Sequence, residues 1–118
     1  MLTGQLQAYI EAHLHDTLTL DSLAEALHYS KFYLNRVFQR TTGVTIGAYI
    51  RARRLEEAAR ALVETERPIV SIAMDAGYQS QQAFTMAFRE VYHLSPRAYR
   101  TRKTLTLRAG LRMEVRAA

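Results

Sequence analysis

Cysteine is absent from the 118 residues of this chain, which excludes disulfide bonds and thiolate metal sites. No apolar run approaches the roughly 18 residues that a membrane span requires, and the N-terminus has no basic segment followed by an apolar one. We therefore expect neither export nor membrane insertion, and we expect a cytoplasmic protein.

Groupings of residues that carry catalysis are also missing from the sequence. It has no glycine-rich phosphate loop, no Ser/His/Asp arrangement and no paired carboxylates. His13 and His15 face different sides of one predicted helix, and His28 and His93 lie in separate turns, so no metal site follows. The sequence predicts a protein that is not an enzyme and has no metal or cofactor.

Positive charge is concentrated in two parts of the chain, whose net charge is +5. Residues 1 to 30 carry four acidic residues and no cation, whereas residues 31 to 60 carry seven cations and two acids, and residues 97 to 118 carry seven cations and one acid. Fourteen of the 16 cations are arginine, whose planar fork suits phosphates and guanine edges. Many soluble basic proteins bind no nucleic acid, so the charge alone does not indicate nucleic-acid binding and the sequence motifs are needed as evidence.

A segment that occurs twice, with a spacing of about fifty residues, is the most informative feature of the sequence. Residues 20 to 49 recur, loosely, as residues 69 to 99. The matched pairs are Leu23 and Ile72, Ala24 and Ala73, Tyr29 and Tyr78, Ser30 and Ser80, Leu34 and Phe84, Phe38 and Phe88, Val44 and Leu94, Thr45 and Ser95, and Tyr49 and Tyr99. Two copies are too few for a solenoid, and they suggest a dimer built into one chain.

Apolar spacing and capping residues predict seven helices and an all-α fold over residues 1 to 101. The predicted helices cover residues 2 to 15, 20 to 27, 31 to 41, 45 to 64, 69 to 76, 80 to 91 and 95 to 99. The second and third form a helix-turn-helix at about 20 to 41, and the repeat forms another at about 69 to 91. The fourth, about 30 Å long, bridges them.

Two helix-turn-helix units in one chain predict how it binds double-stranded DNA. The second helix of each unit enters the major groove, and successive grooves on one face lie about 34 Å apart, nearly the length of the bridging helix. We therefore expect a monomer that reads both half-sites. Two alternatives remain open: a non-specific nucleic-acid or RNA-binding module, and a helical bundle that binds proteins.

Outward residues of the two recognition helices are the candidates for base contacts. Arg36 can pair with guanine, Asn35, Gln81 and Gln82 can pair with adenine, and Phe32 and Met86 can touch a thymine methyl group. Phosphates are expected at the two helix starts and at arginines nearby, and the alternative for each arginine is a solvated or intramolecular pair. The expected phosphate contacts are Ser30, Lys31, Arg40, Arg51, Arg54, Ser80, Arg89, Arg97 and Arg100.

The chain resembles the AraC/XylS family of bacterial transcription regulators over residues 5 to 101. Its most specific stretch contains Ile72, Ala73, Gly77, Tyr78, Ser80, Phe84, Phe88, Arg89, Leu94, Ser95, Pro96, Tyr99 and Arg100. The resemblance implies base contacts by Phe32, Asn35, Arg36, Gln81, Gln82 and Thr85. It also implies a place on the nucleoid and, usually, activation through contact with RNA polymerase.

Residues 102 to 118 form a basic tail in which apolar side chains alternate from Leu105 onwards. Such alternation is typical of a β-strand, and a strand appended to a helical domain must pair with something. We expect either the start of a further effector-binding or dimerising region or an unstructured tail that adds affinity for phosphate.

Overall fold

The computed structural model describes residues 1–105, which form seven helices and no strand. The helices are α1 (Leu2–Ala12), α2 (Leu20–Leu27), α3 (Lys31–Thr42), α4 (Ile46–Glu64), α5 (Ile69–Asp75), α6 (Gln81–Tyr92) and α7 (96–105). The chain divides into two compact units, Met1–Arg54 and Leu55–Ala118. The predicted all-α fold with two helix-turn-helix units and a long central helix is confirmed.

The first unit has its own apolar core, supplied by α1, α2, α3 and the start of α4. Phe38 is fully buried, and its ring meets that of Tyr49 edge to face at 5.2 Å between centroids. The buried core residues are Leu6, Ile10, Leu14, Leu23, Leu34, Phe38, Ile46 and Ile50. The apolar spacing along each helix explains their burial, because it places them on one stripe.

The second unit packs around aromatic rings. Phe84, Phe88, Tyr92 and Tyr99 form a chain of ring contacts with centroids 4.5 to 5.6 Å apart. Burial raises the pKa of Tyr92. The buried core residues are Leu55, Ala58, Ala59, Leu62, Ile72, Ala73, Ala76, Phe84 and Phe88. The second half of α4 thus belongs to this core, as its first half belongs to the other.

Hydroxyl side chains cap five of the helices, as the sequence predicts. The Thr19 hydroxyl accepts a hydrogen bond from the Ser22 amide at 3.0 Å, which starts α2, and that of Thr45 accepts one from Ala48 at 3.1 Å, which starts α4. The remaining capping residues are Ser30, Ser80 and Ser95, each of which accepts from the amide three positions along. Each cap satisfies an amide that has no partner within its helix.

The first helix is shorter than predicted. We expected it to reach residue 15, but α1 ends at Ala12, and His13 leaves the helical conformation. Leu14 is nevertheless buried, with only 3% of its surface exposed. Its apolar position continues the helical spacing although its backbone lies in a turn, so the periodicity alone overestimates the helix.

The last helix is longer than predicted. We expected residues 95 to 99, whereas α7 extends from 96 to 105. The Thr104 hydroxyl donates to the Arg100 carbonyl at 2.7 Å, as helical threonines do. Leu105, where the alternating pattern begins, is therefore helical, and the rest of the predicted strand lies outside the described residues.

Two histidines occupy backbone conformations that favour glycine. His28 has a φ of 62° at the end of α2, and His93 has a φ of 65° at the end of α6, whereas Gly43 holds the corresponding place after α3 with a φ of 82°. A side chain with a Cβ atom is strained in this left-handed region.

We expect His28→Gly and His93→Gly each to raise the free energy of unfolding by about 0.5 to 1 kcal/mol, because the strain is relieved. Urea denaturation measures the change. Gly43→Ala is the matched control: no atom lies within 4 Å of the added Cβ, so its expected loss of about 1 kcal/mol reports the backbone alone. Lower stability in both glycine variants would mean that the imidazoles make contacts that outweigh the strain.

Candidate DNA-binding surface

The first helix-turn-helix is held together by backbone bonds across its turn. The Tyr29 amide donates to the Ala24 carbonyl at 3.2 Å, which closes α2, and Ser30 then caps α3. Leu34 and Phe38 anchor the inner face of α3 in the core, so its opposite face is exposed. The arrangement presents α3 outward on a fixed base.

The second helix-turn-helix repeats these contacts. The Tyr78 amide donates to the Ala73 carbonyl at 3.1 Å, and Ser80 caps α6. Gly77 turns the chain with a φ of 91°, and Phe84 and Phe88 anchor the helix. The two units therefore share the bond across the turn and the serine cap of the second helix, although Gln79 is an extra residue in the second turn.

Residue by residue, α3 and α6 expose the same positions. Residues 31–40 and 81–90 have an identical sequence of exposed, half-buried and buried sites. Of the predicted base-contacting residues, Phe32, Arg36, Gln81 and Gln82 are exposed, whereas Asn35 and Thr85 are half-buried. Phe32 is 74% exposed, and its counterpart position carries a polar Gln82. An aromatic ring so open to solvent contributes little to the stability of the fold.

The chemistry of the two exposed faces differs. Arg36 on α3 corresponds to Met86 on α6, which is 66% exposed, and Arg40 corresponds to Glu90. The first face is therefore cationic at its centre, and the second is apolar there and acidic at its end. Lys31 sits 3.3 Å from Asp21 and 5.8 Å from the centroid of the Phe32 ring, so its charge is partly balanced within the unit.

Asn35 has a structural function that the sequence did not reveal. Its Oδ1 atom accepts a hydrogen bond from the Ile46 amide, at 3.1 Å, where α4 begins. In the second unit the matching positions are Thr85 and Pro96, and proline has no amide hydrogen to satisfy. In the first unit the asparagine pairs the amide at this helix start, and in the second unit the proline removes the amide hydrogen that would need a partner.

We expect Asn35→Ala to lower the free energy of unfolding by about 1 kcal/mol, because the Ile46 amide loses its acceptor. Thr85→Ala should have a much smaller effect, since Pro96 leaves no amide to satisfy. Asn35→Asp, which keeps an acceptor oxygen, serves as the matched control. Urea denaturation of the three variants checks the prediction, and equal losses for Asn35→Ala and Thr85→Ala would contradict it.

Two of the arginines predicted to contact phosphate bind main-chain carbonyls instead. Arg54 donates to the carbonyls of Leu14 and Asp16 at 2.9 and 2.7 Å, and thereby fixes the irregular segment after α1. Arg100 donates to the carbonyls of Leu62 and Arg67, both at 2.7 Å, and fixes the segment after α4. Such charge-assisted bonds favour a structural function for both side chains.

Other cations are paired with carboxylates. Arg53 forms two hydrogen bonds of 2.7 Å with Glu11, and this contact lowers the pKa of the Glu11 carboxyl. Arg60 lies 3.3 Å from both Glu57 and Glu64, and Arg67 lies 2.7 Å from Asp75. Within residues 1–105, several exposed arginines have no such carboxylate. They are Arg36, Arg40, Arg51, Arg89 and Arg97.

Metal sites and membrane spans are the other features that such a chain can carry. Residues 1–105 contain no group of three or more histidine or acidic side chains placed to hold a metal ion. None of the helices described there combines the length and apolar character of a membrane span. The exposed faces of α3 and α6, with the cations beside them, remain the candidate site.

Comparison with known proteins shows similarity to a domain family and to transcription regulators. The sequence profile of the helix-turn-helix domain matches residues 23–102. Regulatory protein SoxS of Escherichia coli K12 is 48% identical over 97 residues, which cover 82% of this chain and 91% of SoxS. Transcriptional regulator Rob of Salmonella typhimurium is 47% identical over 95 residues, or 80% of this chain, and the chain spans only 33% of Rob.

Solved structures agree with this result. The DNA-binding domain of AdpA, a global transcriptional factor crystallised with a target DNA, superposes with a TM-score of 0.77. The two sequences are 26% identical, and the match covers 84% of this chain and 89% of that one. The fold therefore has a relative that is a DNA-binding domain.

Proposed function

Because this chain belongs to the AraC-type helix-turn-helix family of DNA-binding transcription regulators, we propose that it is a sequence-specific regulator that binds double-stranded DNA through α3 and α6. The observation that carries the proposal is the shared exposure pattern of residues 31–40 and 81–90. Two helices that expose the same positions, with polar and basic side chains outward, suit two major grooves.

We further propose that one chain binds both half-sites as a monomer. The support is α4, an uninterrupted helix of 19 residues that is about 28 Å long. Its ends belong to the two helix-turn-helix units, and successive major grooves are about 34 Å apart. The length of this helix is close to one turn of DNA, which supports the proposal.

Base recognition is proposed to differ between the half-sites. Arg36, exposed and without a described partner, suits guanine, and Phe32 suits a thymine methyl group. The Asn35 oxygen already accepts one hydrogen bond, from the Ile46 amide, so we propose that Asn35 contacts a base mainly by donating from its amide nitrogen. Gln81, Gln82 and Thr85 supply the polar contacts of the second half-site.

Phosphate contacts are proposed for the helix starts and for cations without internal partners. The amides at Ser30 and Ser80 begin helices of 12 residues each, whose dipoles favour an anion there. The accompanying side chains are Arg40, Arg51, Arg89 and Arg97, together with Lys31, whose pairing with Asp21 is open to solvent. Arg54 and Arg100 are better assigned to holding the backbone, since their guanidinium groups bind carbonyls.

Activation of transcription through RNA polymerase is proposed on the family resemblance. In vitro transcription from a promoter that carries the bound sequence, with purified polymerase, tests it directly. A higher transcript yield with the protein supports activation, whereas a lower yield identifies a repressor.

Selection of bound sequences from a random duplex pool is the experiment for the proposed function. We expect two unequal sequence motifs about ten base pairs apart, the sharper of them contributed by α3. Competition with scrambled duplex and with RNA at physiological salt separates the alternatives, because backbone binding is indifferent to sequence and strongly dependent on salt. A pool without enriched motifs would favour a non-specific nucleic-acid-binding module.

A further inference from the structure

Two exposed tyrosines, one in the turn before α3 and one on α3 itself, contribute no buried ring to the core. Tyr29 is 45% exposed and Tyr33 is 43% exposed, and their rings stack with centroids 5.4 Å apart. Neither hydroxyl has a hydrogen-bond partner within residues 1–105. Tyrosines that stabilise a fold bury their rings and pair their hydroxyls, so this arrangement is suited to an external partner.

The second unit lacks this pair although it repeats the surrounding structure. Tyr78, which matches Tyr29, is half-buried and lies 5.6 Å from the Phe84 ring, and Ala83 stands where Tyr33 would be. The tyrosine pair is thus not required to build a helix-turn-helix of this geometry.

The position of Tyr33 on α3 indicates which part of a DNA groove the pair would meet. Tyr33 and Arg40 lie along one flank of the exposed face of α3, next to Arg36 at its centre. A helix is about 10 to 12 Å across and the major groove is about 12 Å wide, so each flank borders a wall made of sugar and phosphate. On α6 the same flank carries Ala83 and Glu90, which offer no donor and one repelling charge.

We propose that Tyr29 and Tyr33 clamp the sugar–phosphate strand that borders this flank of α3, an inference that rests on the proposed function. The rings pack against deoxyribose, and the hydroxyls donate to phosphate oxygens beside the charge of Arg40. Since α6 has no such clamp, the first half-site supplies most of the affinity that does not depend on sequence.

Fluorescence anisotropy with the full chain tests the clamp, on one duplex selected from the random pool and one scrambled duplex of the same composition. We expect Tyr33→Phe to weaken binding about twofold to tenfold, the factor of one hydrogen bond, and by the same factor on both duplexes. Tyr29→Ala and Tyr33→Ala should lose more. The salt slope should not change, because no charge is removed, whereas Arg40→Gln should reduce it by about one counterion.

Val91→Ala is the matched control. It trims a 56% exposed side chain on the side of α6 that faces away from the proposed DNA surface, so this variant should bind like the parent chain. Thermal unfolding confirms that each variant is folded. Parental affinity in all the tyrosine variants would overturn the clamp, and so would a loss confined to the selected duplex. A parent chain that binds neither duplex would instead overturn the proposed function itself.

Discussion

Arg36→Ala is expected to reduce discrimination against a wrong base pair in the first half-site by about fivefold to 150-fold. This range corresponds to the 1 to 3 kcal/mol that a bidentate arginine–guanine contact contributes. Arg36 is exposed and pairs with no carboxylate among the described residues, so its removal should leave the free energy of unfolding nearly unchanged. Binding to a panel of operators with single base changes measures the loss.

Met86→Ala is the matched control, because Met86 occupies the equivalent position of α6. It should relax the second half-site much less, since a thioether offers no hydrogen bond to a base edge. The reciprocal change, Met86→Arg, is expected to sharpen the preference of the second half-site. Equal relaxation by Arg36→Ala and Met86→Ala would contradict the proposed division between the recognition helices.

An insertion of five base pairs between the half-sites is expected to weaken binding about 10²-fold to 10⁴-fold. The insertion turns the two grooves to opposite sides of the duplex, so that one chain can engage only one of them and loses the gain from linked binding. An insertion of ten base pairs restores the side but adds about 34 Å, which a helix of 19 residues cannot span. Affinity should therefore stay low with both insertions.

Duplexes that carry the same insertions outside the two half-sites are the matched controls, and they should bind like the original duplex. Recovery of affinity with ten added base pairs would indicate a flexible connection rather than a rigid α4. Indifference to both insertions would indicate that only one half-site is read.

Periodic apolar residues were enough to predict most of the fold. Leu34 and Phe38, at i and i+4, fixed the buried side of α3, and Ser30 and Gly43 marked its ends. Where the prediction was wrong, periodicity and backbone conformation had separated. Leu14 continues the apolar stripe of α1 while lying in a turn, and Leu105 begins an alternating pattern while lying at the end of the described part of α7.

Side-chain partners were less predictable than helices. Arg54 and Arg100 look like surface cations in the sequence, and only the folded chain brings each within 2.9 Å of two carbonyls some 33 to 40 residues away. The bond from Ile46 to Asn35 crosses 11 residues. The repeat did offer one signal. The position that matches Ile46 in the second copy is Pro96, which has no amide hydrogen, and this suggests that the Ile46 amide requires an acceptor.

The comparison of the two copies also separates surface function from fold. Phe38 and Phe88, which the copies share, are buried, whereas Arg40 and Glu90, which differ, are exposed. Two units with the same inner face are free to bear different outer faces, because exposed substitutions change stability little. An asymmetric DNA site is the expected consequence.

Hydroxyl-radical footprinting on a selected duplex, titrated with the full chain, tests most directly whether one polypeptide reads two successive grooves. We predict two protected patches about ten base pairs apart that appear together and are complete at one chain per duplex. A single patch at that ratio, with the second appearing only at two chains per duplex, would contradict the account.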